Sequence, residues 1–168
     1  MTKRLLVSAC AWLLTACVTP EHSEFPRGIR PPVELLLSRA DGTRFQLSSL
    51  RDRPTLLFLF ATYDTASQLA LGHLERFLAR EPRISVLGVA LQPDANAFLD
   101  PYRDALSVDF PLSYDPGNTV LRGTSELGLI TSVPAFIAID TLGRVSATRY
   151  GVATPDELGE LVEPLLSP

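Results

Sequence analysis

The chain has 168 residues, and 15 Lys and Arg stand against 19 Asp and Glu, for a formal net charge of −4. That length suits one domain with a single core. The mild acidity supplies no clustered cations to set against phosphate, so nucleic acid is excluded as an expected partner.

The first residues, Met1-Thr2-Lys3-Arg4, precede an apolar stretch over residues 5–14. A positive start, a short apolar core and small residues after it match a secretory signal peptide. A membrane-spanning helix needs about 20 apolar residues, and this stretch is too short. Leu14-Thr15-Ala16-Cys17 resembles a bacterial lipobox, in which the cysteine is lipidated and becomes the mature N-terminus. Val7-Ser8-Ala9-Cys10 is a weaker copy that would leave too short an apolar core. Ordinary secretion with a free Cys17 stays open as the alternative. Lipidation at Cys17 would fix the protein to a membrane, since two or more acyl chains anchor stably where one does not. Val18 after the cysteine points to the periplasmic face of the outer membrane. Cleavage before Cys17 removes 16 residues, Lys3 and Arg4 among them, and leaves 152 residues with 13 cations against 19 carboxylates, a charge of −6. The expected division is therefore a signal peptide over 1–16, lipidated Cys17 with a Pro-rich tether over 17–32, and one domain over 33–168.

The domain opens with a predicted hairpin. Residues 33–37 are apolar, Asp41-Gly42 is a turn signal, and residues 44–47 alternate. Thr55-Leu56-Leu57-Phe58-Leu59-Phe60 reads as a strand buried on both faces. A helix follows over about residues 66–80, with Ala70, Leu71, Leu74, Phe77 and Leu78 on one face and Thr65 with Gln68 as a capping box. Residues 84–91 form a second buried strand. A helix within 94–106 is expected to be kinked or interrupted at Pro101. A short strand over 110–114 and a short helix over 119–127 come next. Strands over 135–139 and 144–150 flank the turn Asp140-Thr141-Leu142-Gly143. The last helix starts at Thr154-Pro155-Asp156-Glu157, with a capping Thr and Pro at the first helical position. Its buried stripe is Leu158, Leu161, Val162 and Leu165. Strands alternating with helices, closed by a hairpin and a helix, predict an α/β sandwich on a mixed sheet.

The order of these elements and three motifs resemble the thioredoxin-like superfamily, in its TlpA-like and AhpC/TSA-like redoxin branch, over roughly residues 33–166. Asp41-Gly42 through Leu47-Ser48-Ser49-Leu50-Arg51 is similar to the branch's "DG…xLSxLRG". Phe58-Leu59-Phe60-Ala61-Thr62-Tyr63 is similar to "NFWATW", and Val133-Pro134 through Ile137-Ala138-Ile139-Asp140 and Gly143-Arg144-Val145 to "VPTTFLIDxxGRI". The resemblance implies a three-layer sandwich, with a central mixed β-sheet, helices on both faces and an N-terminal β-hairpin extension. It also implies a cis bond at Pro134, facing the active site.

The departure falls on the chemistry. Where the family carries CxxC, this chain reads Asp64-Thr65-Ala66-Ser67, and its cysteines, Cys10 and Cys17, both lie in the leader. Thiol–disulfide exchange needs a thiolate to attack sulfur. A carboxylate at the helix N-terminus is stabilised as an anion and makes a good cap and a poor base. Phe58 stands where many thioredoxins keep a buried Asp that moves protons. No catalytic residue, cofactor or metal is expected. A copper site would need a Cys pair with a His, His22 lies in the tether, and His73 flanks the apolar helix face, too far round to serve Ser67 as a base. Tyr63 is expected to be exposed, for loop packing or for contact.

The leading expectation is a redox-inactive, membrane-anchored module that binds an envelope protein or peptide in the groove formed by Tyr63, Asp64, Val133 and Pro134. The alternatives are an oxidoreductase or peroxiredoxin-type enzyme using a partner's thiols, a repurposed enzyme on the same fold, or a purely structural lipoprotein.

Overall fold

The computed structural model describes residues 30–166. The signal peptide, Cys10, Cys17, His22 and the tether up to residue 29 lie outside the described residues.

Seven strands and three α-helices follow one another: β1 Leu36–Ser38, β2 Arg44–Gln46, β3 Thr55–Phe60, α1 Thr65–Leu78, β4 Ser85–Ala90, α2 Leu99–Leu106, β5 Leu112–Tyr114, β6 Ala135–Ile139, β7 Val145–Tyr150 and α3 Pro155–Leu166. The strands form one mixed sheet in the order β2-β1-β5-β4-β3-β6-β7. β3 pairs parallel with β4 in register Thr55↔Ser85 through Phe60↔Ala90, and antiparallel with β6, Leu59 facing Ala135. β5 extends the parallel part beside β4. The hairpin β1–β2 joins it antiparallel through Ser38↔Tyr114.

The solid apolar run of β3 does what such a run must. Leu56, Phe58 and Phe60 enter the core on one face, Leu57 and Leu59 enter it on the other, and all five are fully buried. Each such side chain contributes about 1.5–3 kcal/mol by leaving water. On the first face, Phe58, Phe60 and Phe136 meet Ala70, Leu74 and Phe77 of α1, Leu99 and Tyr102 of α2, and Leu158 and Val162 of α3. The second face is covered without an α-helix. Val33, Leu35, Leu47 and Val120 close over Leu57, Leu59, Ile137 and Ile139, and the 3₁₀ turn Leu47–Leu50 is the one regular helical piece there. The sandwich has its central sheet and both outer layers, and the two layers are unequal.

That inequality corrects one expectation, the helix over 119–127. The segment between β5 and β6 runs as turns, because Gly123 and Gly128 both adopt positive φ, which a helix does not allow. Asp115 organises the start of the segment instead, accepting hydrogen bonds from Gly117 N, Thr119 Oγ1 and Val120 N. Pro101 neither kinks nor interrupts α2. It sits in the first turn, where its missing N–H is not needed, and the break comes earlier, between the 3₁₀ turn Ala95–Ala97 and α2. At α3 the capping box forms as expected: Glu157 N donates to Thr154 Oγ1, and Thr154 N donates to Glu157 Oε2.

Candidate functional site

β3 ends at Phe60, and residues 61–64 lead directly into α1. The cap of α1 is Asp64 and not Thr65. Asp64 Oδ2 accepts from Ser67 N at 2.8 Å and from Ser67 Oγ at 2.7 Å. Thr65 is the first helical residue and exposed, Ala66 is half-buried, and Ser67 is fully buried. Ser67 Oγ also accepts from Ala61 N at 3.3 Å. Asp64 and Ser67, the two ends of this four-residue stretch, are therefore tied to each other by hydrogen bonds. The Ser67 hydrogen bonds hold the Asp64 carboxyl below the usual carboxylate range, against a smaller opposing effect of burial. Such an anion is a weak proton acceptor, and a buried hydroxyl serving as part of a cap is no nucleophile.

The loop ahead of the cap is clamped by two glutamines. Thr62 N and Thr62 Oγ1 both donate to Gln92 Oε1, at 2.6 and 3.0 Å, while Gln68 Nε2 reaches Thr62 O at 3.4 Å. Gln92 is buried two residues beyond the end of β4, just before Pro93. Sequence reasoning missed it, although a lone amide closing the apolar run 84–91 was a usable signal. With Thr62 fixed, Tyr63 is turned outward and is 74% exposed.

Opposite this loop stands the start of β6. The Val133–Pro134 peptide bond is cis, as the resemblance implied. The β3–β6 ladder ends at Leu59↔Ala135, so Phe60 closes β3 and Ala61 leaves it where Val133 and Pro134 lead into β6. Pro134 is buried, and its carbonyl accepts from Gly151 N at 2.8 Å. Val133 is half-buried against the second core cluster. Among the described residues, neither its N–H nor its C=O takes part in a hydrogen bond. Tyr63, Asp64, Val133 and Pro134 thus occupy the same end of the sheet, on facing loops.

Beneath the site lies a stack of rings. Phe58 stacks on Phe60 and Phe136, with centroids 5.2 Å apart in both pairs, and Tyr102 stacks on Phe60 at 5.0 Å. Phe58 therefore fills its position as packing and carries no proton. Tyr102 escaped sequence reasoning, which had no signal for it beyond an apolar face. Its hydroxyl is buried without a hydrogen-bond partner. Burial pushes its phenol up to about 12, with the Glu75 and Asp64 charges adding to the shift. His73 donates from Nδ1 to the Ala153 carbonyl at 2.8 Å, pinning α1 to the segment before α3, away from Ser67. Among the described residues no group of three or more His, Cys, Asp or Glu side chains converges as a metal site would require. No helix there is long and apolar enough to cross a membrane. A cleft of about 660 Å³, lined by Phe77, Arg80 and Asp156 among others, lies at the other end of α1, remote from these loops.

No protein-family model and no curated protein matches the chain. Solved structures do. MTB dsbF, in its mixed oxidized and reduced forms, superposes with a TM-score of 0.66 at 22% identity, covering 79% of this chain and 95% of its own. A secreted Mycobacterium tuberculosis disulfide oxidoreductase homologous to E. coli DsbE gives 0.64 at 18% identity, covering 79% and 96%. StoA from Bacillus subtilis gives 0.62 at 16% identity, covering 80% and 99%. At such identities the likeness is one of fold, and by its strand order, its helices and these superpositions the chain is a thioredoxin-like α/β domain.

Proposed function

We propose that this chain is a cell-envelope protein of the thioredoxin fold that holds an extended segment of a partner polypeptide at the groove between Tyr63–Asp64 and Val133–Pro134, and exchanges no disulfide with its own side chains. Lipid on Cys17 would keep it on a membrane, on the periplasmic face of the outer membrane. The observation that carries the reading is the pairing of a closed site with an open backbone. Asp64 and Ser67 are spent on each other, and no cysteine occurs after Cys17, while the Val133 amide and carbonyl are unpaired among the described residues. Backbone pairing with an extended peptide needs a free N–H and C=O and no thiol.

The names of the similar structures favour a second reading over this one. Those proteins include a disulfide oxidoreductase, so this domain would be an oxidoreductase or peroxiredoxin-type enzyme working with thiols from a partner. One experiment separates the two. The purified chain is assayed for reduction of insulin disulfides and of peroxide with dithiothreitol, and in parallel a photocrosslinker is placed at position 63 in the native envelope. The binding reading expects no turnover above buffer and a discrete set of crosslinked polypeptides. Turnover that persists in Cys10→Ser and Cys17→Ser variants would overturn it in favour of the second.

A further inference from the structure

The end of the sheet that carries the groove also carries features that specify what the groove accepts. β3, β4 and β5 run parallel and finish there, β6 starts there and β7 ends there. Large apolar side chains stand out from the connecting loops and the edge strand, among them Tyr63, Leu129, which is 67% exposed, and Tyr150, with Phe98 and Leu121 also exposed on these connections. Leu129 is held in place, because Tyr150 donates its hydroxyl to the Leu129 carbonyl at 3.2 Å. From Gly128 to Ile139 the chain has no ionisable residue, so this rim is uncharged, with the exposed hydroxyls of Thr131 and Ser132 between Ile130 and Val133.

Two carboxylates stand on the loops at the same end of the sheet, Asp94 after β4 and Glu126 between β5 and β6. Glu126 and Asp94 are exposed, and no hydrogen bond or ion pair among the described residues engages either side chain. Asp64 spends Oδ2 on both Ser67 donors. The cation on these loops, Arg122, is drawn onto the Gly117 carbonyl. An exposed, uncharged strip carrying Tyr63 and Leu129, with unpaired carboxylates on the neighbouring loops, complements a segment that alternates apolar and cationic side chains, since an extended chain sends successive side chains to opposite sides.

We infer that the groove selects an extended segment of a partner protein in which apolar residues alternate with Lys or Arg, the apolar ones resting on Tyr63 and Leu129 and the cations facing Glu126 and Asp94. This rests on the groove reading above.

The test uses the full chain in detergent and three fluorescein-labelled heptapeptides, in which leucine alternates with lysine, serine or glutamate, read by fluorescence anisotropy. The lysine peptide is expected to bind about fivefold or more tighter than the serine peptide, with the glutamate peptide weakest, and the difference should shrink at about 0.5 M salt. Glu126→Gln with Asp94→Asn should bring the lysine peptide to the level of the serine peptide without weakening the latter. Leu129→Ser and Tyr63→Ala should weaken both. Equal binding of all three peptides, still sensitive to Tyr63→Ala, would overturn the selection and leave the groove standing. No binding by any peptide, or a lysine preference indifferent to every one of these variants, would overturn both.

Discussion

Asp64 and Ser67 occupy the two positions where the resemblance places sulfur, and they have become a helix cap. The Asp64→Ala variant should lose about 1 kcal/mol of stability in urea unfolding, the usual worth of an N-cap carboxylate. The pH dependence follows from the direction of its shift. The folded pKa is depressed, so the contribution is fully present above about pH 4, where an unfolded Asp titrates, and is lost as pH falls through the lower folded value. Wild type and Asp64→Ala should therefore converge in stability on acidification, and a gap that widens would refute the cap's role. Tyr102 offers the opposite case. A buried hydroxyl without a partner costs free energy, so Tyr102→Phe should raise stability by about 1 kcal/mol. In the wild type the phenol ionises near pH 10 when unfolded and only at about 12 when folded, so stability falls as pH rises from 10. The Phe variant should lose that part of the alkaline slope. At this scale the site was legible where a single residue type decides it. Missing cysteines and a carboxylate before a helix are visible in a string of letters, whereas the Gln92 clamp on Thr62 joins residues 30 apart and the Tyr102 stack depends on how α2 lies on β3.

Among the elements, β3, β4 and β6 could be read because a strand buried on both faces has no polar side chain to place and its sequence shows it. The segment between β5 and β6 could not. Its apolar residues Val120, Leu127 and Ile130 are spaced loosely enough to suit a helix, yet they anchor a chain of turns held by Asp115 and by left-handed glycines. Asp115→Ala should leave the buried Val120 amide without its acceptor and cost about 1–3 kcal/mol. Faster hydrogen exchange confined to residues 115–130 would be the signature, and unchanged protection there would show the loop to be held by other means. Gly88, in the middle of β4, is fixed by close packing. A Cβ on it would lie 2.5 Å from Leu112 Cδ2 and 3.2 Å from the Phe110 ring, so Gly88→Ala should destabilise by about 1–3 kcal/mol through overpacking. A thermal midpoint equal to wild type would mean that β5 shifts freely away from β4.

For the whole molecule, the most consequential detail is where the chain comes in. Val33 N donates to the Gly143 carbonyl, in the turn between β6 and β7, at 2.8 Å. That turn lies at the foot of β6, and the groove lies at its head. The six residues of β3 between the two ends separate them by about 20 Å. With Cys17 lipidated, as proposed, the 13 residues from there to Arg30 span at most about 45 Å. The anchor then pulls on one pole and the opposite pole is presented, like a hand at the end of a raised arm. A fluorophore on Leu142→Cys, at the Gly143 pole, should be quenched by headgroup-labelled vesicles more strongly than one on Tyr63→Cys, and equal quenching would contradict this polarity. A domain mounted this way meets its partners across the aqueous gap and turns its groove away from the bilayer that holds it, so its reach, set by tether length, decides which neighbours it can touch.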